Sequence, residues 1–135
     1  MKLVSSFALA AAFVLVTSTV PAGAHHSFTA QYDRSKPITL TGPVTKLDWI
    51  NPHARIFVDA KDPNGKIVNW EIELGAPAIL VRSGWTRNAV KVGETVTVTG
   101  SLAKDGSNLA NASTVTLADG KKIFAGSSGG DSQPK

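Results

Sequence analysis

From Ile38 to Phe124, apolar residues recur at every second position in one short segment after another. Successive side chains on an extended strand point to opposite faces, so this period of two marks strands buried on one side. The first segment, Ile38 to Trp49, puts Ile38, Leu40, Gly42 and Val44 on one face, and Leu47 and Trp49 continue that face after a phase slip. Gly42-Pro43 in its middle predicts a bulge or sharp bend, because proline cannot donate to a strand ladder. Asn51-Pro52 predicts a turn. His53 to Ala60 then sends Ile56, Val58 and Ala60 inward and His53, Arg55, Phe57 and Asp59 outward. Asp62-Pro63-Asn64-Gly65 is a hairpin signal. The strand after it, Lys66 to Leu74, buries Val68, Trp70, Ile72 and Leu74 and turns Asn69, Glu71 and Glu73 away.

One stretch breaks the period. Ala76 to Ser83 has Pro77 in its first turn and Gly84 just past its end, which is helix punctuation. Thr86 offers a cap for one further turn through Val90. Strands resume at Thr95 to Ala103, with Val96, Val98 and Leu102 inward, then at Ala112 to Leu117, with a short return at Lys121 to Phe124. Three strands, a short helix and two or three more strands predict a mainly β fold: a small OB-like barrel of five to six strands, its one helix between strands three and four. A long, bent first strand lets so small a sheet close on itself and removes its edges. A β-sandwich is the alternative, and a lone central helix fits it less well.

The start of the chain obeys different rules. Met1-Lys2-Leu3 gives a positive start, Phe7 to Val16 an apolar run, and Ala22-Gly23-Ala24 the small residues of a cleavage site. This is the grammar of a secretory signal, with the cut after Ala24. A membrane-spanning helix needs about 20 apolar residues, and Thr17, Ser18 and Thr19 interrupt the run first. The expected organisation is a signal at 1–24, an N-terminal leader at 25–37, a barrel domain at 38–124 and a polar Gly/Ser-rich tail at 125–135. The expected location is periplasmic or secreted, with no membrane span after cleavage. Loss of Lys2 takes the net charge from +4 to +3. That mild, dispersed excess argues against a nucleic-acid partner. No cysteine is present, so neither a disulfide nor a thiolate metal site is open to this chain.

Three histidines occur: His25, His26 and His53. Cleavage after Ala24 makes His25 the first residue, so its α-amine and ring Nδ1 could close one chelate ring on a metal ion. Both groups lose protons near neutrality. His26 adds a second imidazole. A leader spanning 25–37 extends to roughly 45 Å, long enough to run back along the first strand to His53. An all-nitrogen site favours Cu(II), with Ni(II) and Zn(II) behind it. The expected metal ligands are therefore His25, His26 and His53, and the expected cofactor is copper. The opposing reading makes the doublet solvated and lets His53 cap the Asn51-Pro52 turn.

Other constellations carry less. Glu71 and Glu73, two apart on one face, could supply carboxylates, although such pairs are commonly solvated. No Ser/His/Asp arrangement is readable, and the tail glycines lack the strand–loop–helix setting of a phosphate loop. Trp49 and Trp70 fall on inward phases, as core residues do. The expected function is thus an exported metal-binding protein. One alternative is a metal-free module presenting Arg55, Phe57, Asn69 and Glu71 on the outer face of strands one to three to a protein, such as a periplasmic partner, or a small ligand. Another is a copper enzyme of oxidative chemistry, disfavoured by the absence of an evident substrate cleft.

The chain resembles a family of small exported bacterial proteins of unknown function. The residues that carry the likeness are His25-His26-Ser27-Phe28, Tyr32-Asp33, Lys36-Pro37 and Trp49-Ile50-Asn51-Pro52-His53-Ala54, then Asn69-Trp70, Gly84-Trp85-Thr86-Arg87 and Lys104-Asp105-Gly106-Ser107. The resemblance covers nearly all of residues 25–128 and implies a periplasmic or secreted location. It implies no activity, substrate or cofactor. Arg55 stands where many relatives would carry an aromatic residue.

Overall fold

The computed structural model describes residues 28–126. The elements run α1 (Phe28–Gln31), β1 (Tyr32–Asp48), β2 (Arg55–Lys61), β3 (Ile67–Glu73), α2 (Pro77–Arg82), β4 (Thr95–Ala103), β5 (Leu109–Thr116) and β6 (Lys122–Phe124). The protein is mainly β, with five strands closed into a barrel-like ring and α2 between β3 and β4, as the alternation predicts. Around the ring the order is β1-β2-β3-β5-β4, and β6 hangs on β5. Every pairing is antiparallel except the closing seam, where β3 and β5 run parallel through Glu71↔Leu109, Ile72↔Ala110 and Glu73↔Asn111.

A strand can serve two neighbours only by bending, and β1 does so at Gly42-Pro43. Residues up to Pro43 pair with β4, while Val44 onward pairs with β2. A Cβ at Gly42 would lie 1.8 Å from the Asp59 carbonyl oxygen, so only glycine admits this approach. Gly100, opposite Ala112, has the same constraint, with the Asn111 carbonyl oxygen 1.9 Å from an ideal Cβ. The hairpin between β2 and β3 closes as expected at Asp62 to Lys66. Asp62 Oδ1 accepts from the backbone N–H of Asn64 (2.8 Å) and Lys66 (2.9 Å), and Gly65 carries the positive φ of +81°.

The ring interior holds Leu40, Val44, Ile56, Val58, Ile72, Val96, Val98 and Val115, capped by Leu74, Leu80 and Trp85. Burying each such side chain stabilises the fold by roughly 1.5–3 kcal/mol. Trp85 follows Gly84, whose φ is +98°, and its indole N–H donates to the Phe124 carbonyl at 2.9 Å. The segment after Trp85 forms a turn, Ala89 N–H donating to the Thr86 carbonyl at 3.0 Å, rather than a further helical turn.

The β structure reaches beyond the expected barrel at both ends. The first strand starts at Tyr32 rather than Ile38, and Tyr32 and Asp33 already pair with Ala103 and Leu102 before a bulge leads into the main ladder. At the other end Ala125 is fully buried; its N–H donates to the Ser113 carbonyl and its carbonyl accepts from Gly75 N–H. The proposed signal at 1–24, the His25-His26 doublet and the rest of the tail lie outside the described residues.

Candidate functional site

His53 sits at the end of the turn opened by Asn51-Pro52. Its neighbour Ala54 is fully buried and fixes the backbone there: Ala54 N–H donates to the Gly75 carbonyl (3.0 Å), and Leu74 N–H donates to the Ala54 carbonyl (2.8 Å). Alternation about Ala54 turns His53 to the outer face of the ring. Register places Arg55 opposite Glu73 and Phe57 opposite Glu71. The carboxylates are taken on the diagonals, as the pleat allows. Arg55 pairs with Glu71, and His53 Nδ1 lies 2.8 Å from Glu73 Oε1.

Glu73 departs from the sequence expectation. Alternation put it on the solvent side, yet the residue is 8 % exposed. The outer face of the ring is covered at this point. Tyr32 donates its hydroxyl to Glu73 Oε2 at 3.1 Å, and the Asn111 amide, opposite Glu73 across the seam, donates to Oε1 at 3.3 Å. A buried carboxylate is tolerated only when polar partners surround it; two donate here, and the His53 ring stands in close contact. Tyr32 is itself 2 % exposed. Burial pushes its phenol far above the ordinary value, and the adjacent Glu73 charge adds to the shift.

A second, smaller apolar cluster on the outside of the ring explains the cover: Phe28, Tyr32 and Ala103, with Leu109 packed against them. The Phe28 and Tyr32 rings lie 5.4 Å apart, and the Arg34 guanidinium stands 4.8 Å over Phe28. Lys104 clamps the short helix twice, its backbone N–H donating to the Gln31 carbonyl (2.9 Å) and its ammonium to the Thr29 carbonyl. The segment carrying α1 is therefore docked beside His53.

Of the three expected ligands, the structure places His53, while His25 and His26 precede the described residues. Among the described residues no group of three or more His, Asp or Glu is arranged to hold a metal ion. The described chain offers one imidazole with a carboxylate behind it. Tyr32 and Asn111 were missing from the sequence reading of the site. The sequence reading began the fifth strand at Ala112, one residue past Asn111, so no strand context marked it. On the outer face of β1 to β3 several side chains contact one another: the Lys46 ammonium stands 5.0 Å over the Phe57 ring, and Asn69 bonds both Asp59 and Thr45. No helix among the described residues is long and apolar enough to cross a membrane.

The fold and this cluster define a small β-ring protein whose α1 segment is packed against a buried carboxylate that contacts a half-buried imidazole. The chain belongs to a family of unknown function, DUF6152, which it matches over residues 11–112. No curated protein and no solved structure matches it.

Proposed function

We propose that this protein is exported and binds a transition metal, copper in the first instance, through His25 (α-amine and ring), His26 and His53. The observation that carries the reading is the His53–Glu73 contact. Histidines that ligate metals commonly give their other ring N–H to a carboxylate, which orients the ring and raises its basicity. His53 meets Glu73 through Nδ1, leaving Nε2, which has no hydrogen-bond partner among the described residues, as the coordinating nitrogen. The route of the chain supports the same reading. Phe28 is anchored one ring contact from Tyr32, which bonds the same Glu73. The first described residue thus lies in the cluster that covers Glu73. Nitrogen donors without thiolate suit Cu(II) over Zn(II).

The test is Cu(II) titration of the chain beginning at His25. It should bind one equivalent with nitrogen-rich hyperfine couplings in EPR. A version with one extra residue before His25 loses the amine chelate and should bind at least about 10-fold more weakly, and His53→Ala should weaken binding by a comparable factor. Equal affinity in all three would refute the proposed ligand set.

A further inference from the structure

The ring closes where Glu71 to Glu73 meet Leu109 to Asn111, and the first half of β3 runs free of that seam. Parity fixes where its backbone groups point. Alternate residues of an antiparallel strand bond one neighbour, and the residues between them face the other way. Asp62 N–H donates to the Lys66 carbonyl at 2.8 Å, and Leu74 N–H donates to the Ala54 carbonyl at 2.8 Å, so the even-numbered residues of β3 face β2. The odd-numbered ones face outward. Glu71 N–H donates to the Asn108 carbonyl at 3.0 Å, and Glu73 lies in the seam. Ile67 and Asn69 remain, and among the described residues no group meets their outward N–H and C=O. Nothing blunts this edge: its register against β2 has no bulge, it holds no proline, and Ile67 is 61 % exposed.

We propose that a second copy of this chain pairs here, β3 antiparallel to β3, about a two-fold axis through Val68. The edge is its own complement in that register. Ile67 of each copy stands opposite Asn69 of the other, and both residues aim their groups at the junction, so every open N–H finds an open carbonyl. Neighbouring registers fail. An axis through Asn69 would require Glu71, whose N–H is already taken, and an axis through Ile67 would require Gly65, whose N–H bonds the Asp62 carbonyl at 2.9 Å. In the register through Val68, Gly65 of the second copy comes opposite Glu71, and its φ of +81° turns that chain away into its hairpin. The incoming strand thus ends where the seam begins. On the other face of the strand the two half-buried Val68 side chains meet at the close spacing of a non-hydrogen-bonded pair. Lys66 of each copy lies beside the half-buried Trp70 of the other. A contact confined to Lys66 through Trp70 covers less surface than a permanent dimer needs, so the association is weak and depends on concentration. It requires no metal and stands apart from the copper reading.

The experiment is sedimentation of the chain beginning at His25, with a chelator present so that no metal bridges two copies. The mean mass should rise from monomer toward dimer as concentration is raised. Ile67→Pro deletes one outward N–H at the first residue of an edge strand, where proline is tolerated, and should abolish the rise. Ile67→Thr keeps that N–H and should dimerise as the original chain does. Val68→Lys and Val68→Glu each set like charges opposite one another on the axis and should each stay monomeric, whereas an equimolar mixture of the two should recover the dimer. Hydrogen exchange gives a second reading: the Ile67 and Asn69 amides should be protected only at concentrations where the dimer forms. A chain that stays monomeric at every concentration overturns the proposal. So does a dimer untouched by Ile67→Pro, a mixture of folded Val68 variants that fails to recover, or protection of both amides in the dilute monomer, which would mean that another part of the chain covers the edge.

Discussion

Glu73 and Tyr32 are coupled through one hydrogen bond of 3.1 Å between groups 41 positions apart in sequence. Tyr32 is the one tyrosine of the chain, so its ionisation can be followed by tyrosinate absorbance without assignment. Its folded-state pKa is raised above the unfolded value of about 10, by burial first and by Glu73 next. The stability linked to the neutral phenol is thus fully present below about pH 10 and is lost as the pH climbs above it. Tyrosinate should appear only in strong alkali and together with loss of the fold. Glu73→Gln should bring the transition to lower pH, and an unchanged titration curve would separate the two groups. Tyr32→Phe should cost about 2 kcal/mol in urea unfolding, the worth of a hydrogen bond to a charged acceptor. The burial of Glu73 was not legible in the sequence. Its position in a period-two pattern points outward, and only the return of the chain from Phe28 to Tyr32 covers it. Tyr32 lies outside the alternating segments, so nothing local ties it to a residue two strands further along the chain.

The strand-level features were legible because each is decided within a few residues. The Asp62–Gly65 hairpin, the Pro77-to-Gly84 helix and the bend at Gly42-Pro43 all follow from backbone rules of single residues. The places where the reading fell short are ends: β1 begins at Tyr32, and Ala125 is buried. Ends depend on what a neighbouring strand offers, here Ala103 and Leu102 of β4 for Tyr32 and Asp33. The bend carries its own prediction. Gly42→Ala forces a methyl into the Asp59 carbonyl, a contact with backbone rather than with a side chain that could move. The loss of stability should reach or exceed the upper end of the roughly 1–3 kcal/mol typical of overpacking. Gly84→Ala, where nothing lies within 4 Å of the new methyl and only φ is strained, should cost about 1–2 kcal/mol. Denaturant midpoints of the two variants, compared side by side, distinguish steric exclusion from backbone strain.

Among the described residues two apolar clusters of unequal size lie on either side of one β wall. The inner one includes Trp85, and Trp85→Ala should cost about 3–5 kcal/mol, enough to threaten a domain of ordinary marginal stability. The outer cluster is three buried residues and Leu109. Hydrogen exchange should therefore show the Phe28–Gln31 amides opening well below the free energy of global unfolding. The seam between β3 and β5 gives this arrangement a wider meaning. It is three residue pairs long, and one of those pairs is Glu73 with Asn111. Breathing of the ring at its shortest junction and dismantling of the polar cluster are then a single event. Anything that grips the cluster acts as a latch on the ring, strengthening closure with the logarithm of the ratio of its concentration to its dissociation constant. Slowed exchange at the Glu71 amide, which bonds the Asn108 carbonyl at the seam, would make the strand junction itself a gauge of occupancy.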